Sequence, residues 1–123
     1  MIMRARSMGE SFKFALHGMY YSLRTQRNMR IHTIAAVVVV IIAFCLGCTR
    51  DEIALLVLTA AFVVCTEMMN TAVETAVDLC TTEYHPLAKI AKNVAAGAVL
   101  FAAVSAAVIG GIIFLPRLLS LLK

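Results

Sequence analysis

From residue 94 to residue 115 the chain carries no charged side chain. At 1.5 Å of rise per residue, a run of that length crosses ~30 Å of hydrocarbon as a helix. Two further runs resemble it. Residues 31–49 have only His32 as a possible charge, and residues 53–66 are uncharged and then continue into "TEMMNTAVETAVDL" (66–79), without which they would be too short. In a chain of 123 residues that is 62% hydrophobic and 15% charged, these runs make the bilayer the expected solvent. The expected fold is an all-α membrane protein, one domain over 1–123, with three transmembrane helices at about 31–49, 53–79 and 93–116.

Basic residues orient these spans. Arg4, Arg6, Lys13, Arg24, Arg27 and Arg30 precede the first span and Lys89 and Lys92 follow the second, whereas Arg50, Arg117 and Lys123 fall on the opposite side. Eight of the eleven basic residues thus share a side, which the positive-inside rule makes cytoplasmic. The net charge of +4 suits an anionic leaflet or phosphates. Nucleic acid is not an expected partner, because no binding module is present. No cleavable secretory leader is expected either, since some thirty residues rich in Arg and Lys precede the first apolar run.

Within residues 7–30, Met8, Phe12, Ala15, Met19 and Leu23 recur at helical spacing among Lys13, His17, Arg24 and Arg27. This pattern predicts an N-terminal amphipathic helix lying on the cytoplasmic surface. "CTRDE" leaves room only for a tight turn between the first two spans. Pro86 is expected to end any helix that enters "TTEYHPLAK". Cys45 and Cys48 form a CxxC with no second pair, so the four cysteines, with Cys65 and Cys80, read as small packing residues rather than a metal or redox site. The third span is rich in Ala and Gly, which let helix backbones approach closely. Three helices enclose little interior, so polar residues inside them call for cover from further copies, a homo-oligomer.

The polar residues in question are Glu67, Asn70, Glu74 and Asp78. Spaced by three, four and four, they fall within an arc of ~80° on one helix face. If that helix enters hydrocarbon near Ile53, Glu67 lies ~21 Å deep, Glu74 ~32 Å and Asp78 ~38 Å, against a core of ~30 Å. A carboxylate at the depth of Glu67 costs ~2.5 kcal/mol or more, which points to a use. Glu67 sits where a lipid hydroxyl would be and suits a general base. Glu74 and Asp78, wetter and followed by Lys89 and Lys92, suit Mg²⁺ and phosphate. A base at lipid depth beside a phosphate site suggests phosphoryl transfer to a lipid alcohol. Neither a GxxxxGK[ST] loop nor a glycine-rich kinase loop is present. Spacing alone leaves three readings open: an enzyme, a small proton-coupled transporter, and a hydrogen-bonding stripe that holds an oligomer together.

"EMMNTAVETAVDL" followed by "EYHPLAKIAKNVAAGAVL" resembles the signature of the small bacterial integral-membrane lipid kinases, the prokaryotic diacylglycerol kinase and undecaprenol kinase family. Its pattern is roughly ExxN[ST]AxExxVD followed by AKD, and the likeness runs from about Phe12 to Pro116. "RNMRIH" and "EYHPLAKIAK" look more like the undecaprenol kinases of Gram-positive bacteria than the diacylglycerol kinases of enteric ones. The resemblance implies a homotrimer in the bacterial inner membrane, multi-pass, with active sites at the cytoplasmic interface shared between subunits. It implies ATP as phosphoryl donor, Mg²⁺ as cofactor and a lipid alcohol as acceptor, undecaprenol first and diacylglycerol as the alternative. By the family motif, Glu67 would be the catalytic base with Asn70 supporting it, and Glu74 would bind metal. Asp78, Glu83, Tyr84, His85 and Lys92 would lie around the nucleotide.

Two positions depart from the family pattern. Gln26 stands where a second metal-binding glutamate is expected, and Asn93 where the pattern has the aspartate of AKD. An amide oxygen is a neutral and poorer Mg²⁺ ligand. The two amides therefore imply weaker metal and nucleotide affinity, or at the extreme a catalytically impaired homologue.

Overall fold

The computed structural model describes residues 4–123. It consists of four helices: α1 (Met8–Thr25), α2 (Arg27–Cys45), α3 (Arg50–Cys80) and α4 (Pro86–Leu121). The last three are each long and apolar enough to cross a membrane. At 1.5 Å per residue, α2 spans ~28 Å, whereas α3 and α4 reach ~46 and ~54 Å and so exceed the hydrocarbon thickness. The surplus length carries their ends into headgroups and water.

α3 packs most extensively against α4 and next against α2, while α1 touches α2 and α3. The α2–α3 connection defines one end of the bundle, the turn end. Gly47 there adopts φ 67°, a left-handed conformation that side chains with a Cβ rarely take. Thr49 caps α3 by accepting from the Glu52 amide at 3.3 Å, and the Glu52 carboxylate accepts from the Thr49 amide at 2.9 Å, a reciprocal capping box. Arg117 reaches this end from α4, pairing with Glu52 and donating to the Gly47 carbonyl at 3.2 Å. Beside it Ala43, Leu56 and Ile113 form the tightest apolar cluster, flanked by Val39, Cys48, Ile53, Ile109 and Phe114.

Large apolar side chains cover the outside, among them Ile34, Phe44, Leu58, Phe62, Phe101 and Ile112. In water such a surface would be an aggregation hazard; facing lipid tails it is an ordinary solvated face.

Several sequence expectations shift. The N-terminal helix expected over 7–30 ends at Thr25: Gln26 is extended (φ −104°, ψ 119°) and α2 starts at Arg27. The corner is stabilised by Arg30, whose guanidinium donates to the carbonyls of Leu23 at 3.3 Å and Arg24 at 2.8 Å. These are carbonyls that the end of α1 leaves without intrahelical partners. Pro86 starts a helix rather than stopping one. It occupies the first turn of α4, where its missing N–H costs nothing, and the His85 ring accepts from the Leu87 amide at 3.2 Å as N-cap. Lys89 and Lys92 therefore ride on a helix instead of a loop, and α4 begins seven residues before the expected boundary at about 93. Of the cysteines, only Cys48 packs against the apolar cluster. Cys45, Cys65 and Cys80 are exposed.

Candidate active site

The polar stripe of α3 occupies the half of the helix away from the turn end. Regular helix from Arg50 to Cys80 brings Glu67, Asn70, Glu74 and Asp78 onto one side, as a spacing of three and four requires. Their environments differ steeply along the axis. Glu67 is only 2% exposed and Asn70 8%, Glu74 is half-buried and Asp78 lies on the surface. The Asn70 amide donates to Glu74 Oε1 at 3.2 Å, which ties the buried half of the stripe to the wetter half. Thr71 spends its hydroxyl on the Glu67 carbonyl at 3.0 Å, so it offers Glu67's carboxylate nothing.

Two buried acceptors, Glu67 Oε2 and Asn70 Oδ1, have no hydrogen-bond partner among the described residues. A buried acceptor left alone forfeits ~1–3 kcal/mol, more when charged. A side chain kept in that condition is suited to a group that arrives from outside the chain, and both atoms belong to adjacent turns of the same stripe.

Beyond Asp78 the helix ends, and the α3–α4 connection and the first turns of α4 border an open cavity of about 660 Å³. Asp78, Glu83, Tyr84, His85, Lys92 and Asn93 all line it. The volume lies within the ~300–1,000 Å³ usual for small-molecule sites. One ion pair spans it, Lys92 Nζ to Asp78 Oδ1 at 2.6 Å, with the two side chains 40% and 66% exposed. The α4 start explains the gathering, because a helix beginning at Pro86 puts Ala88, Lys89, Lys92 and Asn93 on consecutive turns facing the end of α3.

Gln26 sits apart from this cavity's lining, at the extended residue between α1 and α2, and its amide donates to Thr25 Oγ1 at 3.4 Å. Among the described residues no group of three or more His, Cys, Asp and Glu side chains gathers at metal-binding distance. Two features of the site lay outside the sequence reading. One is the Asp78–Lys92 pair. The other is His32, which lines a second cavity across the α2–α3 interface together with Val63, one turn before Glu67.

The sequence profile of the prokaryotic diacylglycerol kinases matches residues 13–114. The chain belongs to the prokaryotic diacylglycerol kinase family. Relatives of this family carry lipid kinase names. A diacylglycerol kinase of Synechocystis sp. is 49% identical over 113 residues, covering 91% of this chain and 65% of that protein. An undecaprenol kinase of Bacillus subtilis is 42% identical over 109 residues, covering 89% of each chain. A diacylglycerol kinase of Haemophilus influenzae is 32% identical over 105 residues, covering 85% of this chain and 89% of its own. The chain thus spans somewhat less than two thirds of the Synechocystis protein and most of the other two. As a prokaryotic diacylglycerol kinase family member with three membrane-length helices, it is a membrane protein.

Proposed function

We propose that the chain transfers the γ-phosphoryl group of ATP to a membrane lipid alcohol, undecaprenol in the first place, giving undecaprenyl phosphate and ADP. The observation that carries this reading is Glu67: a carboxylate 2% exposed, with one oxygen unpartnered, three turns along the same helix from Asp78 and its charged, open cavity. In the proposed reaction Glu67 accepts the proton of the lipid hydroxyl as its oxygen forms a bond to the γ-phosphorus, and the bond from that phosphorus to the bridging β–γ oxygen breaks. Asn70 holds the stripe together through Glu74 and presents its free carbonyl to the same space. Lys92, released from Asp78, neutralises phosphate oxygens, while Glu83, Tyr84, His85 and Asn93 line the nucleotide's seat.

Glu74, half-buried and bonded to the Asn70 amide, offers the kind of carboxylate Mg²⁺ takes while leaving its other positions to water and substrate phosphates. Glu74 would hold it, with the Gln26 carbonyl as a neutral second ligand, and when bound the ion supplies charge neutralisation of the phosphates. Asp78, one turn further along α3, would be an ordering residue.

Undecaprenol is preferred because the Bacillus subtilis undecaprenol kinase aligns over 89% of both chains, and because "RNMRIH" and "EYHPLAKIAK" follow the Gram-positive type. Diacylglycerol is the second reading, favoured by the 49% identity to the Synechocystis diacylglycerol kinase. In this proposal the chain is a homotrimer in the bacterial inner membrane with the site on the cytoplasmic side, in keeping with the eight basic residues that the chain order groups at that end. α1 lies along the surface with Met8, Phe12, Leu16 and Met19, all exposed here, turned into lipid. The test is a vesicle assay with labelled ATP: phosphate is expected on undecaprenol and less on diacylglycerol. Transfer to neither by protein that is demonstrably trimeric would overturn the reading.

A further inference from the structure

A second cavity, of about 370 Å³, lies between α2, α3 and α4 on the turn-end side of Glu67. Its walls are small and apolar, with Ala36, Ala60, Ala106 and Gly110 facing it and Phe114 nearest the turn end. Two of its lining residues, His32 and Thr59, are polar. The Thr59 hydroxyl donates to the Leu55 carbonyl at 2.7 Å, so it is already satisfied within its own helix. That leaves the His32 ring as the polar group at the wall, at the end of the cavity nearest the stripe. On α3 the lining stops at Val63, and Glu67 follows one turn later on the same face.

His32 and Glu67 therefore bracket the cavity's polar mouth. Glu67 is 2% exposed, yet no hydrogen bond reaches its Oε2. A gap between two polar groups at the top of a hydrocarbon-lined slot suits a hydroxyl on an apolar chain. A hydroxyl in hydrocarbon needs both a donor and an acceptor to offset its desolvation. In such a seat Glu67 would accept its proton, and a ring N–H of His32 would donate to its oxygen.

We propose that this cavity seats the leading part of a single-chain lipid alcohol, and that His32 positions its hydroxyl against Glu67. The inference rests on the lipid kinase reading given above and narrows its acceptor. The volume lies near the lower end of the ~300–1,000 Å³ of small-molecule sites. It is also drawn out along ~16 Å of α4, from Ala103 to Phe114, at 1.5 Å per residue. A slot so long for its volume has width for one chain; the second chain of a diacylglycerol would have to lie outside it.

Binding measured without nucleotide tests this separately from turnover. The probes are a fluorescent C15 polyprenol and the same chain lacking the hydroxyl, titrated against purified protein in nanodiscs. His32→Leu is expected to weaken the alcohol about tenfold, the worth of one hydrogen bond to a hydroxyl, and to leave the hydrocarbon probe unchanged. His32→Gln, which keeps an N–H donor, should recover most of the loss. Ala106→Phe, which fills the slot, should weaken both probes alike. In turnover, His32→Leu should raise KM for polyprenol by a similar factor and leave KM for ATP unchanged. Unaltered alcohol affinity in His32→Leu, or unaltered binding of both probes in Ala106→Phe, overturns the proposal even if the protein is an active kinase. Binding in the expected pattern by a protein that phosphorylates no lipid alcohol would instead overturn the kinase reading and leave the seat standing.

Discussion

The Asp78–Lys92 pair sets a quantitative test of how the cavity between α3 and α4 handles phosphate. At 2.6 Å it is well formed, but its side chains are 40% and 66% exposed, and exposed pairs stabilise a fold by at most ~1 kcal/mol. Lys92 can therefore leave Asp78 at small cost. A charged hydrogen bond from Lys92 to a phosphate oxygen gains ~1.5–3 kcal/mol. Subtracting ~1 kcal/mol for the lost pair leaves a net of roughly 0.5–2 kcal/mol. Lys92→Met should then raise KM for ATP about 2- to 30-fold at ~1.4 kcal/mol per decade, with KM for the lipid alcohol unaffected. Asp78→Asn removes the competitor for Lys92, so KM for ATP should stay level or fall by up to about fivefold. Both variants should keep the wild-type thermal midpoint nearly unchanged. The assay is steady-state phosphorylation in mixed micelles with ATP varied at saturating lipid, alongside a melting curve. A large rise in KM for ATP in Asp78→Asn would show that Asp78 itself holds nucleotide or metal, and would refute the argument that it merely parks the lysine. Loss of several kcal/mol of stability in either variant would refute the treatment of the pair as a weak surface contact.

Other substitutions separate the remaining roles. Glu67→Gln should cut turnover by ~10²–10⁴-fold, the usual worth of a general base, with lipid affinity little changed; the same variant should melt higher than wild type, because an amide is cheaper than a carboxylate to bury beside hydrocarbon. Glu74→Gln should raise the Mg²⁺ concentration needed for half-maximal rate, whereas an effect on turnover alone would count against metal binding there. Restoring acids with Gln26→Glu and Asn93→Asp should lower that Mg²⁺ requirement, read from the same titration. Thr49→Ala removes the N-cap of α3 and should cost ~1 kcal/mol of stability without moving either KM, since it lies at the opposite end of the bundle from the site.

What could be read along the chain was whatever depended on neighbours three and four residues away. The stripe of Glu67, Asn70, Glu74 and Asp78 was legible because helical periodicity alone puts them on one face, and the spans were legible because lipid tolerates so few charges. The helix corner at Gln26 was not, since neither glycine nor proline marks it; Gly18, which does look like a breaker, stays inside α1. There the deciding interaction is Arg30 reaching back to the carbonyls of Leu23 and Arg24, one that no propensity encodes. Pro86 misled for a different reason. Proline both stops and starts helices, and the choice here goes with His85, whose ring accepts from Leu87 as the N-cap. Contacts between distant segments were out of reach altogether: Arg117 meets Glu52 across the turn end, and His32 shares a cavity with Val63, one turn before Glu67, only because α2 packs along α3. The last of these bears most on function. A carboxylate buried beside hydrocarbon can be noticed from its depth in the sequence, but what shares its space has to come from the fold. In this fold an apolar slot walled by His32 and Val63 opens one turn before Glu67, and on the proposal above that is where a lipid hydroxyl would be held.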